Sequence, residues 1–162
     1  MKNKKKVRGI AVGAIIAAAY VVLTYIAAAF NLSSGAIQVR LSEALTILPI
    51  FTPYAIPGLF IGCILANTLT GCLATDIVFG SLATLIGAIG TYFLRKKPIL
   101  ATIPPILSNA IIVPFVLLYV YNLEGAYGYF FLTVLAGEVI SCGILGFLLR
   151  KSLEKRNINK YL

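Results

Sequence analysis

The apolar run from Gly9 to Phe30 constrains this chain more than any other feature of its sequence. It extends for 22 residues. As a helix rising about 1.5 Å per residue it would be roughly 33 Å long, enough to cross the hydrocarbon core of a bilayer. The run is too long for the apolar region of a cleavable signal peptide. With 60% hydrophobic residues and a mean hydropathy of +0.97, the chain is predicted to be an integral membrane protein.

The basic residues predict the orientation of the chain. Of its 14 lysines and arginines, ten lie in residues 1–8 and 150–162, three lie in the loop 95–97, and Arg40 stands alone. Short basic loops stay in the cytoplasm, so both termini and the loop 95–97 are expected there. We therefore interpret the net charge of +9 as a topology signal that contacts the lipid bilayer, and not as a nucleic-acid-binding surface.

Prolines and polar stretches divide the chain into six predicted transmembrane helices in a single domain, residues 1–162. Pro49 and Pro53 are expected to close the second helix, because proline disrupts helical hydrogen bonding. Thr75 and Asp76 are predicted to cap the fourth. The six helices are predicted at about 9–30, 38–51, 57–72, 76–97, 99–121 and 129–149. A basic N-terminal tail, residues 1–8, precedes them, and a basic C-terminal tail, residues 151–162, follows them. The stretch NLSSGA is predicted to be an outer loop between the first two helices.

The few polar side chains inside these helices all fall in the predicted outer half or near the middle. A charged side chain in hydrocarbon costs at least about 2.5 to 3.5 kcal/mol, so each needs a partner or a water-filled cavity. We therefore expect a polar cavity that opens outward and gathers them. These residues are Gln38, Arg40, Glu43, Asn67, Asp76, Asn109 and Glu138.

Each of these residues also has a purely structural interpretation. Arg40 and Glu43 are spaced to form a local ion pair, and Asp76 is equally suited to a helix cap. Asn67 and Asn109 fit interhelical hydrogen bonds worth about 0.6 kcal/mol each. Glu138 has no basic residue within a helical turn. We expect it to stay neutral, to meet Arg40 across the bundle, or to face a ligand.

Small residues mark one face on each of two predicted helices. The first helix carries Ala14 and Ala18, and the third carries Gly58, Gly62 and Ala66. Small residues at this spacing let helix backbones approach closely. Internal packing is the expected role on the third helix, whereas on the first a surface offered to another protein is equally consistent.

Motifs of catalysis are absent from the sequence. It has no histidine, no phosphate-binding GxxxxGK[ST] stretch, and no HExxH or GxSxG arrangement. Its three cysteines form no CxxC pair and are expected to be small buried residues. We predict neither an enzyme nor a metal or cofactor site, which leaves binding and translocation.

Three segments closely resemble the QueT family, the substrate-binding S-components of energy-coupling factor (ECF) transporters assigned to queuosine precursors. They are IQVRLSEALTILPIFTPYAIPGLFIGCILAN, DIVFGSLATLIGA and the preceding AIIAAAY, within a resemblance that covers about residues 8–150. The resemblance implies a six-helix S-component fold and two kinds of partner, a transmembrane coupling protein (EcfT-like) and two cytoplasmic ATPase subunits. It further implies that an AxxxA motif, matched by Ala14 and Ala18, meets the coupling protein, and that a small-molecule substrate binds near the outer face.

The chemistry of a 7-deazaguanine suggests roles for the polar residues. The base offers N1–H and an exocyclic amine side by side, and a carboxylate accepts such a pair; Glu138 is the expected acceptor. Asn109 or Asn67 would donate to the base carbonyl, and Arg40 would balance buried acid. Asp76 or Glu43 would meet an aminomethyl cation, as carried by one precursor. The rings expected to stack on the base belong to Tyr127, Tyr129 or Phe79.

Three alternatives stay open at the level of sequence. The chain would also suit an S-component for another planar, vitamin-like substrate. It would suit a solitary transporter driven by an ion gradient, or a structural membrane subunit that binds no ligand.

Overall fold

The computed structural model describes residues 2–32 and 38–156, and within these ranges the regular structure is entirely helical. The predicted all-α class is confirmed for this part of the chain. Part of the predicted outer loop NLSSGA and the last residues of the basic C-terminal tail lie outside it. The elements are α1 (Lys2–Ala29), a 3-10 helix (Leu41–Ile50), α2 (Ala55–Leu69), α3 (Ala74–Phe93), a short 3-10 turn (Leu100–Thr102), α4 (Ile103–Tyr119), α5 (Tyr127–Glu138), a π-helical segment (Val139–Leu145) and α6 (Gly146–Lys155).

Four of the described helices are long and apolar enough to cross a membrane: Asn3–Ala29, Ala74–Phe93, Leu100–Tyr119 and Tyr127–Lys155. The last joins α5, the π segment and α6 into one continuous helix of 29 residues. Two apolar helices, Leu41–Ile50 and Ala55–Leu69, are shorter. These lengths support a multi-pass membrane protein, whereas six crossings and the cytoplasmic position of both termini stay predictions.

The second element differs most from its prediction. The sequence predicts a membrane helix over 38–51, but the structure has a ten-residue 3-10 helix at Leu41–Ile50. Residues 42–49 are all buried, and the helix packs against α1, α3, α6 and the π segment. Because a 3-10 helix has about three residues per turn, Glu43 and Thr46 lie on the same edge. Thr46 Oγ1 donates to the Glu43 carbonyl oxygen at 2.6 Å, which helps to hold the tighter winding.

The other helices differ from prediction mainly at their ends. Thr75 and Asp76 do not cap the fourth predicted helix: α3 begins at Ala74, the N-cap position is Leu73, and no side chain caps it. The last helix continues into the predicted C-terminal tail as far as Lys155. The basic residues at the start of the chain form the first turns of α1, which begins at Lys2.

Helices α1 and α2 pack with their backbones in contact. A Cβ atom added to Gly58 would lie 2.5 Å from the carbonyl oxygen of Gly13, and one added to Gly62 would lie 3.0 Å from the Ala17 Cα. At these distances, positions 58 and 62 have room for the hydrogen atom of glycine but not for a larger side chain. The small residues predicted to pack inside the bundle on this helix are therefore confirmed in that role, and they bring α1 against α2 next to the apolar core around Tyr20, Leu59 and Cys63.

Candidate functional site

A cavity of about 430 Å³ lies at one end of the bundle. The C-terminal parts of α1, α2 and α4 meet the start of the 3-10 helix and the first turn of α3 at this end. The basic start of α1, the loop 95–97 and the basic part of α6 lie toward the opposite end, so the cavity is at the end predicted to face outward. Its lining residues are Tyr20, Thr24, Ala27, Ala28, Gln38, Arg40, Ser42, Asn67, Thr70, Cys72, Asp76, Leu117, Tyr121 and Leu123.

The acidic group on the cavity wall is Asp76, in the first turn of α3. Its side chain is buried at 6% exposure, and Oδ2 accepts a 2.8 Å hydrogen bond from the hydroxyl of Tyr121. Burial and this hydrogen bond raise the pKa of Tyr121 above its ordinary value, so the phenol stays protonated and remains a donor. The pair presents a carboxylate with one oxygen already oriented by a protein donor.

The basic group on the wall is Arg40, immediately before the 3-10 helix. Its guanidinium lies in the neighbourhood of the acidic side chains of Asp76, Glu138 and Glu43. No carboxylate oxygen of the described residues lies within 4.0 Å of its guanidinium, so the predicted local ion pair with Glu43 is not formed. The backbone N–H of Arg40 donates to Ser141 Oγ at 3.1 Å, which fixes this residue to the π segment.

Deeper in the bundle, Glu43 is fully buried in a network of hydrogen bonds. Its Oε1 accepts from the hydroxyl of Tyr20 and from Thr84 Oγ1, the latter at 3.2 Å. Its Oε2 accepts from Asn109 Nδ2 at 3.4 Å. Thr84 lies eight residues after Asp76 on α3, which corresponds to roughly 12 Å along the helix axis. Glu43 therefore lies below the cavity, and its carboxyl group is linked to the cavity wall through the hydroxyl of Tyr20.

Glu138 is the second acid at this depth, and the structure does not bring it to the cavity wall. It is buried at 3% exposure, at the end of α5, and its Oε2 accepts a 3.1 Å hydrogen bond from Cys142 Sγ in the π segment. Thr46 Oγ1, whose proton is donated to the Glu43 carbonyl oxygen, lies 3.3 Å from the same sulfur. We refer to Glu43, Asn109, Glu138 and Cys142 as the buried acid cluster.

The predicted polar residues thus divide between two places. The cavity wall gathers Gln38, Arg40, Asn67 and Asp76, whereas Glu43, Asn109 and Glu138 belong to the buried acid cluster. On the cavity wall, Asn67 donates from Nδ2 to Cys63 Sγ at 3.7 Å, a weak hydrogen bond.

The three rings expected to stack on a ligand lie elsewhere. Tyr127 donates to the Ile111 carbonyl oxygen at 3.1 Å and packs on the ring of Phe115. Phe79 lines an apolar groove of about 420 Å³ between α3 and α4. Tyr129 is 54% exposed and packs edge-on against Phe130. All three residues lie near the end of the bundle that contains the cavity, but on faces of their helices that are turned away from it.

The rings on the cavity wall are those of Tyr20 and Tyr121, and sequence reasoning missed both. Tyr20 interrupts the alanine-rich stretch of α1 with a hydroxyl group that needs a partner once it is buried. That need is the signal which would have identified it. Tyr121 follows the end of α4. Its predicted depth in the membrane is similar to that of Tyr127, Tyr129 and Phe79, so depth alone did not distinguish it from these three rings.

Ala14 and Ala18 are exposed within a groove of about 460 Å³ between α1 and α2. Their neighbours Gly13 and Ala17 are buried in the contact with α2. The small residues of α1 therefore serve two purposes, since one row packs internally and the next row is available at the surface.

The comparisons with known proteins agree with these features. Residues 10–155 match the model of the QueT transporter family. A curated protein described as queuosine precursor transporter QueT, from Lactococcus lactis subsp. cremoris (strain MG1363), is 37% identical over 84 residues. That match covers 52% of this chain and 49% of the relative, so the chain aligns with about half of the relative's length.

No solved structure matches the chain. The family match, by contrast, runs from the third turn of α1 to the end of α6 and includes the cavity and the buried acid cluster. The chain therefore belongs to the QueT transporter family, and its apolar helices support a multi-pass membrane protein.

Proposed function

We propose that this chain binds a queuosine precursor, a 7-deazaguanine such as preQ1 or queuine, in the cavity at its outer end. The observation that carries the proposal is the set of groups around about 430 Å³ of space: one buried carboxylate, one guanidinium, two side-chain amides and two phenol rings. Small-molecule pockets typically have roughly 300–1,000 Å³ and combine apolar walls with a few polar groups. The name of the curated relative supports the same substrate class.

Asp76 is the proposed acceptor for the N1–H and exocyclic amine of the base. A carboxylate accepts two adjacent donors with good geometry, and hydrogen bonds to a charged group are the stronger kind. Tyr121 holds one of its oxygens in place. Asp76 replaces Glu138 in this role because Glu138 lies beneath the cavity, bonded to Cys142.

The remaining cavity groups suit the rest of such a substrate. Gln38 and Asn67 carry amide donors for the base carbonyl oxygen, and the rings of Tyr20 and Tyr121 supply apolar surface for a planar heterocycle. Arg40 supplies a positive charge on the same cavity wall as Asp76.

We further propose that the chain is the S-component of an ECF-type ABC importer. Its 162 residues contain no phosphate-binding loop, so ATP hydrolysis would be supplied by partner subunits. The groove that exposes Ala14 and Ala18 would receive the transmembrane coupling protein, because small side chains let another helix approach closely.

Ligand binding tests the first proposal directly. The purified chain in detergent should carry a 7-deazaguanine that mass spectrometry identifies after denaturation. Added preQ1 or queuine should raise the thermal stability, since a ligand at 100 times its Kd stabilises by about 2.7 kcal/mol. Stabilisation by riboflavin, thiamine or folate in place of the deazaguanines would overturn the substrate assignment.

Transport in liposomes tests the second proposal. The chain alone should not accumulate substrate in an ion gradient, and uptake should require the coupling protein, both ATPases and ATP. Accumulation by the chain alone would instead identify a solitary secondary transporter.

A further inference from the structure

Three side chains with metal-binding atoms converge below the cavity from separate elements. One ligand atom from each of Glu43, Glu138 and Cys142 lies within 4.8 Å of the other two, and all three residues are buried. The Cys142 Sγ to Glu138 Oε2 distance is 3.1 Å. Tetrahedral zinc bonds of about 2.3 Å to sulfur and about 2.0 Å to oxygen would place these two atoms roughly 3.5 Å apart. The pair is therefore already close to the separation that a shared ion requires.

An independent observation at the same place is the side chain of Asn109. It is fully buried, and its Nδ2 donates to Glu43 Oε2 at 3.4 Å and to the Pro105 carbonyl oxygen at 3.2 Å. Its carbonyl oxygen, Oδ1, is buried and accepts no hydrogen bond from the protein. Because a buried amide oxygen normally has a partner, Oδ1 is an unfilled acceptor on a side chain whose Nδ2 contacts the cluster.

When deprotonated, the acidic groups of the cluster match the charge of a divalent cation. Glu43 and Glu138 are two buried acidic side chains, and neither forms an ion pair with Arg40. With both as carboxylates and Cys142 as a thiolate, the ligands carry three negative charges. A divalent ion and Arg40 together carry three positive charges, so the site would be neutral as a whole.

Hydrogen bonds around the cluster already orient the would-be ligands. Tyr20 and Thr84 hold one oxygen of Glu43 and leave the other toward Asn109. Thr46 Oγ1 lies 3.3 Å from Cys142 Sγ, and rotation of its hydroxyl away from the Glu43 carbonyl oxygen would give a thiolate a donor. Outer hydrogen bonds of this kind are a regular part of protein metal sites.

We propose that Glu43, Glu138, Cys142 and the carbonyl oxygen of Asn109 bind one divalent transition-metal ion, for which Zn²⁺ has the best-matched chemistry. Thiolate combined with carboxylate suits zinc, whereas Mg²⁺ and Ca²⁺ prefer oxygen ligands throughout. On binding, the metal replaces the proton that Cys142 donates to Glu138, and this proton leaves to solvent. The site lies outside the substrate-contacting wall and does not depend on which substrate the cavity takes.

Cobalt is the probe for this site. The full chain, purified in detergent and stripped with a chelator, should bind one Co²⁺ per chain. The complex should have a thiolate-to-cobalt charge-transfer band and the intense visible bands of tetrahedral Co²⁺. One equivalent of Zn²⁺ should abolish both. A folded, monodisperse protein without a thiolate band would overturn the proposal.

Cysteine variants locate the bound ion. Cys142→Ser should lose the charge-transfer band, and Glu138→Gln should weaken Co²⁺ binding at least about tenfold. Cys63→Ser and Cys72→Ser are matched controls that should retain the band. Loss of the band in a control variant but not in Cys142→Ser would place the metal elsewhere and overturn the assignment.

A measurement on the wild-type chain covers the case in which Cys142→Ser does not fold. Zn²⁺ should slow alkylation of Cys142 in partly denaturing detergent, as followed by peptide mass spectrometry, while Cys72 reacts at an unchanged rate. Equal alkylation of Cys142 with and without Zn²⁺ would also overturn the proposal.

Discussion

Tyr121 donates a 2.8 Å hydrogen bond to Asp76 across 45 positions of sequence, and thereby ties the segment after α4 to the first turn of α3. The Tyr121 hydroxyl also accepts a 3.4 Å hydrogen bond from the backbone N–H of Leu73. The phenol therefore fills two roles at the cavity mouth: it closes the start of α3, where no side-chain cap is present, and it orients the carboxylate on the cavity wall.

Asp76→Asn should weaken binding of a 7-deazaguanine by roughly ten- to a hundredfold. The substitution removes the charge and replaces one acceptor oxygen by a donor, and hydrogen bonds to charged groups contribute about 1.5–3 kcal/mol. Isothermal titration calorimetry in detergent measures the effect. Glu124→Gln, which alters an exposed acid in the loop between α4 and α5, is the matched control and should bind as the wild type does. An unchanged affinity in Asp76→Asn would exclude Asp76 as the base-reading group.

Tyr20→Phe should lower the thermal stability of the chain. It removes a donor to the buried Glu43 carboxylate and leaves Thr84 as the partner of Oε1. Loss of one partner of a buried charged group costs about 1–3 kcal/mol. Tyr25→Phe is the control, because the Tyr25 hydroxyl donates to the Leu69 carbonyl oxygen at an exposed position. Equal melting temperatures of the two variants would indicate that the Glu43 network contributes little.

Gly58→Ala should destabilise the bundle, because its new Cβ would lie 2.5 Å from the Gly13 carbonyl oxygen and force α1 away from α2. Overpacking of this kind typically costs about 1–3 kcal/mol. Gly128→Ala is the control. A Cβ there meets nothing within 4 Å, so that variant should be as stable as the wild type or slightly more stable. Thermal unfolding monitored by circular dichroism compares the two, and a Gly58→Ala protein as stable as Gly128→Ala would contradict the close contact.

The double variant Ala14→Leu and Ala18→Leu should bind substrate normally but fail to assemble with the coupling protein. Both alanines are exposed in the groove beside α2, remote from the cavity. Co-purification with a tagged coupling protein measures assembly. Val22→Leu alters an exposed residue of α1 outside this groove and should assemble normally. Intact complexes of the double variant would assign the groove to lipid instead.

Some features of this protein can be predicted from its sequence, because they depend on the lengths of apolar runs and on the positions of polar residues along the chain. Apolar runs long enough for a bilayer indicate a membrane protein, whatever the packing. The high cost of polar groups in hydrocarbon led to the expectation that all the polar side chains share one cavity. Gln38, Arg40, Asn67 and Asp76 do line it, whereas Glu43, Asn109 and Glu138 do not. The segments around Arg40 and Asp76 also sufficed to recognise the family.

The tertiary structure decided which side of each helix faces the cavity. Three residues turn an α-helix through about 300° but a 3-10 helix through about 360°, so the winding at Leu41–Ile50 changes where Glu43 points. The π segment after Glu138 changes the phase of the last helix in the same way. Close contacts such as that between Gly13 and Gly58 then fix how the helices are rotated. The depth of a residue in the membrane follows from its position in the sequence, whereas the direction of its side chain depends on helical winding and on packing between helices. For this reason the sequence did not show that Glu138 lies in the buried acid cluster and Asp76 on the cavity wall.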